Sequence, residues 1–131
     1  MIGGTCRLSG IVLDCADPAA LAAFYQKLLG WPREPAGEGW AALTAPEGWT
    51  LAFQAVPAYA PPVWPWQPGA PGQMLHLDWQ VDDLDEAVAF ALACGARLAD
   101  AQYFTTSRTL LDPAGHPFCL DNGQPEAPQH G

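Results

Sequence analysis

Positive charge is what this chain has least of: five Lys and Arg stand against fourteen Asp and Glu, for a net charge of −9. The surrounding field repels nucleic-acid phosphates and anionic lipid headgroups and attracts cations, so neither nucleic acid nor a membrane surface is an expected partner. Close cysteine pairs are also missing. Cys6, Cys15, Cys94 and Cys119 form no C-x-x-C, and the last three fall within apolar segments as small buried side chains. This pattern predicts a reducing, cytoplasmic setting. No run of 18 apolar residues occurs, and MIGGTCRLSG lacks a basic stretch followed by an apolar one, so neither a membrane span nor export is expected.

What is present is bulk. The chain has 131 residues, half of them apolar, with six Trp, five Phe and three Tyr. That is enough for one compact domain spanning 1–131, and too little for a multidomain machine.

The sequence repeats itself. LSGIVLDCADPAALAAFYQKLLG (8–30) aligns with MLHLDWQVDDLDEAVAFALACG (74–95) at an offset of 66, matching Asp17 with Asp83 and Phe24 with Phe90. Asp17 followed by Pro18 reads as a helix N-cap with proline at the first helical position. Asp83 repeats the cap, with Glu86 three residues on, and Leu84, Ala87, Val88, Ala91 and Cys94 recur at helical spacing. Gly30 and Gly95 fit the left-handed C-terminal position.

A fainter second repeat aligns 43–56 with 110–123 through Gly48 and Gly115. Both halves read as hairpins: Trp40 to Thr44 then Trp49 to Val56, and Arg108 to Asp112 then Pro117 to Asp121. Module one thus occupies about 7–56 and module two about 74–122, each a strand, a helix and two or three strands. Between them, PAYAPPVWPWQPGAPGQ (57–73) is too rich in proline for helix or central strand and reads as an aromatic linker. The tail 124–131 reads as frayed.

These motifs resemble the vicinal oxygen chelate superfamily, which includes glyoxalase I, extradiol dioxygenases, fosfomycin-modifying enzymes and bleomycin-binding proteins. The carrying residues are Asp17-Pro18, Phe24-Tyr25 and Leu28-Leu29-Gly30; His76-Leu77-Asp78, Asp82-Asp83-Leu84 and Gly95-Ala96; and Asp112-Pro113-Ala114-Gly115-His116-Pro117-Phe118. The likeness covers about 8–122 and is nearest the bacterial glyoxalase-like branch. It implies an α+β fold of two βαβββ modules, a curved mixed sheet around a cleft, and a homodimer.

In the metal-using members, four side chains reach into the cleft, from the first and last strands of each module. Carried over by spacing, these positions are Gly10, Ala52, His76 and Cys119. Two bear no donor, so no metal cofactor is expected. Residues two apart on a strand share a face, so Asp14, Gln54, Asp78, Gln80 and Asp121 should point the same way as those four. His76, Asp78 and Asp14 are the set a displaced metal would use.

His76 is the candidate catalytic residue, with Asp78 placed to fix its tautomer. Cys119 is either a nucleophile activated by His76 or a small filler, and His116 belongs to the turn. Trp79 is out of phase with His76 and should pack as core. Trp40, Trp64 and Trp66 are candidate stacking surfaces for a ligand, or cover for apolar surface. Two functions stay open: a metal-independent binder of an aromatic or cationic small molecule in an acidic, Trp-flanked cleft, and an enzyme of lyase, isomerase, transferase or dioxygenase type. The enzyme would use His76 as general base or with a displaced metal.

Overall fold

The computed structural model describes residues 2–125. Part of the tail read as frayed, 126–131, lies outside them. The chain divides into two compact units between Tyr59 and Ala60.

The first unit contains β1 (Gly10–Cys15), α1 (Pro18–Leu29), β2 (Trp40–Thr44) and β3 (Thr50–Ala55). The second contains β4 (Leu77–Gln80), α2 (Leu84–Cys94), β5 (Arg97–Leu98), β6 (Ser107–Leu111) and β7 (Pro117–Asp121). Each forms a small mixed sheet, ordered β1-β3-β2 and β4-β7-β6-β5. In both, the first strand runs parallel to the last, and the last runs antiparallel to its hairpin partner. A parallel neighbour requires a crossover, which α1 and α2 begin.

The helices start and stop where the repeat says they should. The Asp17 and Asp83 carboxylates accept from Ala20 N at 3.2 Å and Glu86 N at 3.0 Å. Gly30 and Gly95 are left-handed, and their N–H groups close the last turns. The hairpin turns are also repeated: Gly48 donates to Ala45 O and Gly115 to Asp112 O, both at 2.8 Å. In the second turn the buried Asp112 carboxylate also accepts from Ala114 N and His116 N, which ties His116 into the turn through its backbone.

The third strand of the first module shrinks to a bridge, Arg33↔Leu43, flanked by Glu34 N–H to Ala42 O and Thr44 N–H to Pro32 O. Pro32 and Pro35 bracket it and have no N–H to extend a ladder. In the second module the equivalent place holds β5, paired with β6 through Arg97↔Leu111 and Leu98↔Leu110.

In the first unit α1 buries Leu21, Ala22, Phe24 and Tyr25, and the Tyr25 ring stacks on Phe53 at 5.6 Å between centroids. Full burial of one such side chain contributes about 1.5–3 kcal/mol. The second helix keeps the expected phase, with Leu84, Ala87, Val88, Ala91 and Cys94 the least exposed, but only Ala91 is fully buried. The matched aromatics part company: Phe24 is 3% exposed and Phe90 53%.

Three expectations are corrected. His76 lies one residue before β4 rather than within it. Cys94 and Cys119 are half-buried, while Cys15 is buried as expected. Trp79 is half-buried rather than core. The proline-rich run from residue 60 onward belongs to the second unit. Val63 N–H bonds Pro71 O at 2.7 Å, and Trp64 meets Tyr103 edge-to-face at 6.1 Å. Among the described residues, no helix is long and apolar enough to cross a membrane.

Candidate small-molecule site

Strand register decides which polar side chains meet. In the first sheet, Asp14 pairs with Gln54 and Gln54 with Trp40, so carboxylate, amide and indole form one row across three strands. These positions alternate with Leu13, Cys15, Phe53 and Ala41, so the row lies on the opposite sheet face from those buried side chains. Gln54 Nε2 donates to Asp14 Oδ1 at 2.7 Å, and Trp40 is partly exposed. On the same face, Thr44 and Thr50 both donate to Glu34 Oε1, at 2.8 and 3.0 Å. Glu34 escaped the sequence reading, and between two prolines it carried no signal.

In the second sheet, Asp78 pairs with Cys119 and Cys119 with Thr109, while Gln80 pairs with Asp121 and Asp121 with Ser107. His76, two residues before Asp78, joins this face. Its Nε2 lies 3.0 Å from Asp78 Oδ1, and the two side chains are 38% and 60% exposed. Its Nδ1 lies 3.2 Å from Gln73 Oε1. One donor atom each from His76, Asp78 and Cys119 falls within a mutual 4.8 Å. The Cys119 thiol also meets Thr109 Oγ1 at 3.4 Å. Gln73 and Thr109 were missed as well; Gln73 was visible only as an amide three residues before the histidine.

The remaining candidates separate. Asp121 Oδ1 accepts from Gly123 N at 2.9 Å, and the Gln80 amide lies where a Cβ on Gly123 would meet it. The acid–amide row of the first sheet therefore recurs with its residues exchanged between strands, but its carboxylate is used by a local turn. Trp64 is half-buried against Tyr103, whereas Trp66 is 68% exposed and lies over Gly72. Asp14 belongs to the first unit, and within the second unit Cys119 joins His76 and Asp78.

Comparison with known proteins follows this geometry. The model of the glyoxalase-like domain matches residues 10–120. The chain belongs to the glyoxalase-like domain family. No curated protein matches it. A glyoxalase/bleomycin resistance protein/dioxygenase family enzyme from Burkholderia phytofirmans PsJN is 25% identical with a TM-score of 0.69, over 88% of this chain and 98% of that one. The fosfomycin resistance protein FosX from Listeria monocytogenes, solved with Mn(II) and 1S,2S-dihydroxypropylphosphonic acid, is 18% identical with a TM-score of 0.66, over 95% and 93%. Protein ATC0852 from Agrobacterium tumefaciens is 20% identical with a TM-score of 0.66, over 89% and 97%. This glyoxalase-like chain thus has the α+β fold of the vicinal oxygen chelate superfamily, with two small mixed sheets and two helices.

Mn(II) is held in the FosX neighbour, and the donors that the resemblance assigns here are fewer and softer than such an ion takes. A hard divalent ion takes about six oxygen or nitrogen donors, and a thiolate is a poor partner for it. Of the four positions assigned by resemblance, Gly10 and Ala52 have no donor and Cys119 offers sulfur. Gly10 has no room for one either: a Cβ there would stand 2.8 Å from the backbone oxygen of Thr50.

Proposed function

We propose that this glyoxalase-like protein binds a small organic molecule of cationic or planar aromatic character, without a hard divalent ion. The row formed by Asp14, Gln54 and Trp40 carries the reading. A carboxylate attracts and orients a cation, the amide adds a directional hydrogen bond, and the partly exposed indole gives a face for stacking. The net charge of −9 concentrates cations around the molecule. Within the second unit, His76, Asp78, Gln80, Cys119 and Asp121 are the ligand contacts of that unit's own polar face, with Trp64 and Trp66 as its aromatic contacts. In this reading the protein is a cytoplasmic, bacterial homodimer with no nucleic-acid or membrane partner; light scattering on the purified chain tests the dimer.

The test is a panel of planar cations and neutral aromatic compounds, read by tryptophan fluorescence and thermal shift. Saturable quenching with stabilisation, weakened at least tenfold in Asp14→Asn and Trp40→Ala, is the expected result. A flat response across the panel refutes the reading.

A second reading, catalysis with His76 as general base, is favoured by the 3.0 Å contact of Nε2 with Asp78. With Gln73 Oε1 accepting the Nδ1 proton, Nε2 is the basic nitrogen of the neutral ring, and a proton taken up there is held by the Asp78 carboxylate. Turnover of a bound compound, abolished in His76→Ala with binding retained, would establish this reading.

A further inference from the structure

We propose that His76, Asp78 and Cys119 of the second unit hold a thiophilic cation of the zinc class, a centre drawn from one module and unlike the hard-ion centre that Gly10 and Ala52 rule out. The inference does not depend on the organic-ligand reading.

Three observations converge. The donor set comprises imidazole nitrogen, carboxylate oxygen and cysteine sulfur, within 4.8 Å of one another. Zinc takes such N/O/S sets with three protein ligands and an open fourth position; thiolate favours zinc or cobalt(II) over magnesium, calcium or manganese. Tetrahedral zinc, at about 2.0–2.3 Å from each ligand, needs donors about 3.3–3.6 Å apart. The remaining approach of about 1 Å falls to the exposed side chains of Asp78 and His76.

The scaffold holds this set in place. Asp78 and Cys119 are register partners on parallel strands, so their side chains leave the same face at neighbouring positions. The orienting contacts are present too. Gln73 Oε1, 3.2 Å from Nδ1, accepts that proton and directs Nε2 towards Asp78 and Cys119. A metal-bound imidazole typically gives its second N–H to such an oxygen. Thr109 Oγ1 at 3.4 Å positions the sulfur. A carboxylate and a thiolate together balance the dication, leaving an open position for an oxygen or nitrogen donor from solvent or a small ligand.

The corresponding positions of the first module are Gly10, Val12 and Ala52. The same strand register thus carries three donors in one unit and none in the other.

The experiment is titration of the reduced, chelator-treated full chain with Co(II), then Zn(II), in parallel with Mn(II) and Mg(II). Expected is one Co(II) per chain, a near-ultraviolet sulfur-to-cobalt charge-transfer band and intense visible bands of four-coordinate cobalt, all displaced by Zn(II). Zinc should raise Tm, and manganese and magnesium should not. Cys119→Ser should abolish the charge-transfer band, while Asp78→Asn, at an exposed position that leaves the fold intact, should weaken zinc binding at least tenfold. Cys6→Ser should change neither.

An absent sulfur band, a band that survives Cys119→Ser, or equal stabilisation by manganese would overturn the proposal. Any of these would leave the organic-ligand reading untouched, since its panel is to be run separately with chelator present.

Discussion

Gly48 and Gly115 occupy the same place in two copies of one turn, with φ of 95° and 88°. Any L residue there pays for a left-handed backbone, roughly 1–2 kcal/mol. Their surroundings differ. A Cβ on Gly48 meets nothing within 4 Å, whereas one on Gly115 stands 2.8 Å from Pro61 Cβ, in the proline-rich run of the second unit. Gly48→Ala should therefore cost about 1–2 kcal/mol. Gly115→Ala should cost the same plus about 1–3 kcal/mol of overpacking. At about 4 °C per kcal/mol for a chain of this size, the second variant should melt at least about 4 °C below the first.

The added contact pushes Pro61 away, so Gly115→Ala should also alter the near-ultraviolet circular dichroism of Trp64, which meets Tyr103 at 6.1 Å. Gly48→Ala should leave that signal unchanged. Pro61→Gly removes the opposing Cβ, and in a double-mutant cycle it should recover most of the excess cost. Equal losses in the two glycine variants, with no coupling to Pro61, would refute the packing of the proline-rich run against the second hairpin.

Three further outcomes are expected. Phe53→Ala empties the position on which Tyr25 stacks, and should cost about 3–5 kcal/mol in denaturant unfolding, against under 1 kcal/mol for an exposed substitution such as Asp85→Ala. Asp17→Ala and Asp83→Ala each remove an N-cap acceptor and should each cost about 1 kcal/mol; an Asp83 variant as stable as the parent would contradict the 3.0 Å bond to Glu86 N. Asp78→Asn should change stability by less than about 1 kcal/mol, because both partners of the His76 contact are exposed, and a larger loss would mean that the pair is structural.

The features legible in the sequence are those with local causes. An aspartate before the first helical residue, a glycine after the last, and a Pro-x-Gly turn between apolar runs each act within a few residues, and helices and hairpins lie within a residue or so of the places these signals mark. Same-face placement was also legible, because strand side chains alternate: Asp14 with Gln54, and Asp78 with Cys119, follow from spacing and parallel pairing. What escaped depends on long-range packing. Nothing local separates Phe24 from Phe90, yet one lies on the buried face of α1 and the other, on α2, is about half exposed. Glu34, Gln73 and Thr109 enter their clusters only through strand register or a loop path, neither of which is written in local composition.

The two modules share strand register but not chemistry, and Gly10 shows why the first cannot be restored by one exchange. Its Cβ would meet a backbone oxygen, Thr50 O at 2.8 Å, on a strand that β1 pairs along its full length. A flexible side chain could swing aside, but a backbone carbonyl in a ladder moves only with its strand. Gly10→His should therefore lose stability by about 1–3 kcal/mol and gain no affinity for divalent metal. His76, by contrast, lies just outside β4, where its side chain reaches both Gln73 and Asp78. Replacing it with glycine should leave Tm nearly unchanged while removing the imidazole. If Gly10→His folded with the parent's stability and bound Mn(II), the first corner would be open to donors, and the argument that separates this chain from the hard-ion members of its family would fail.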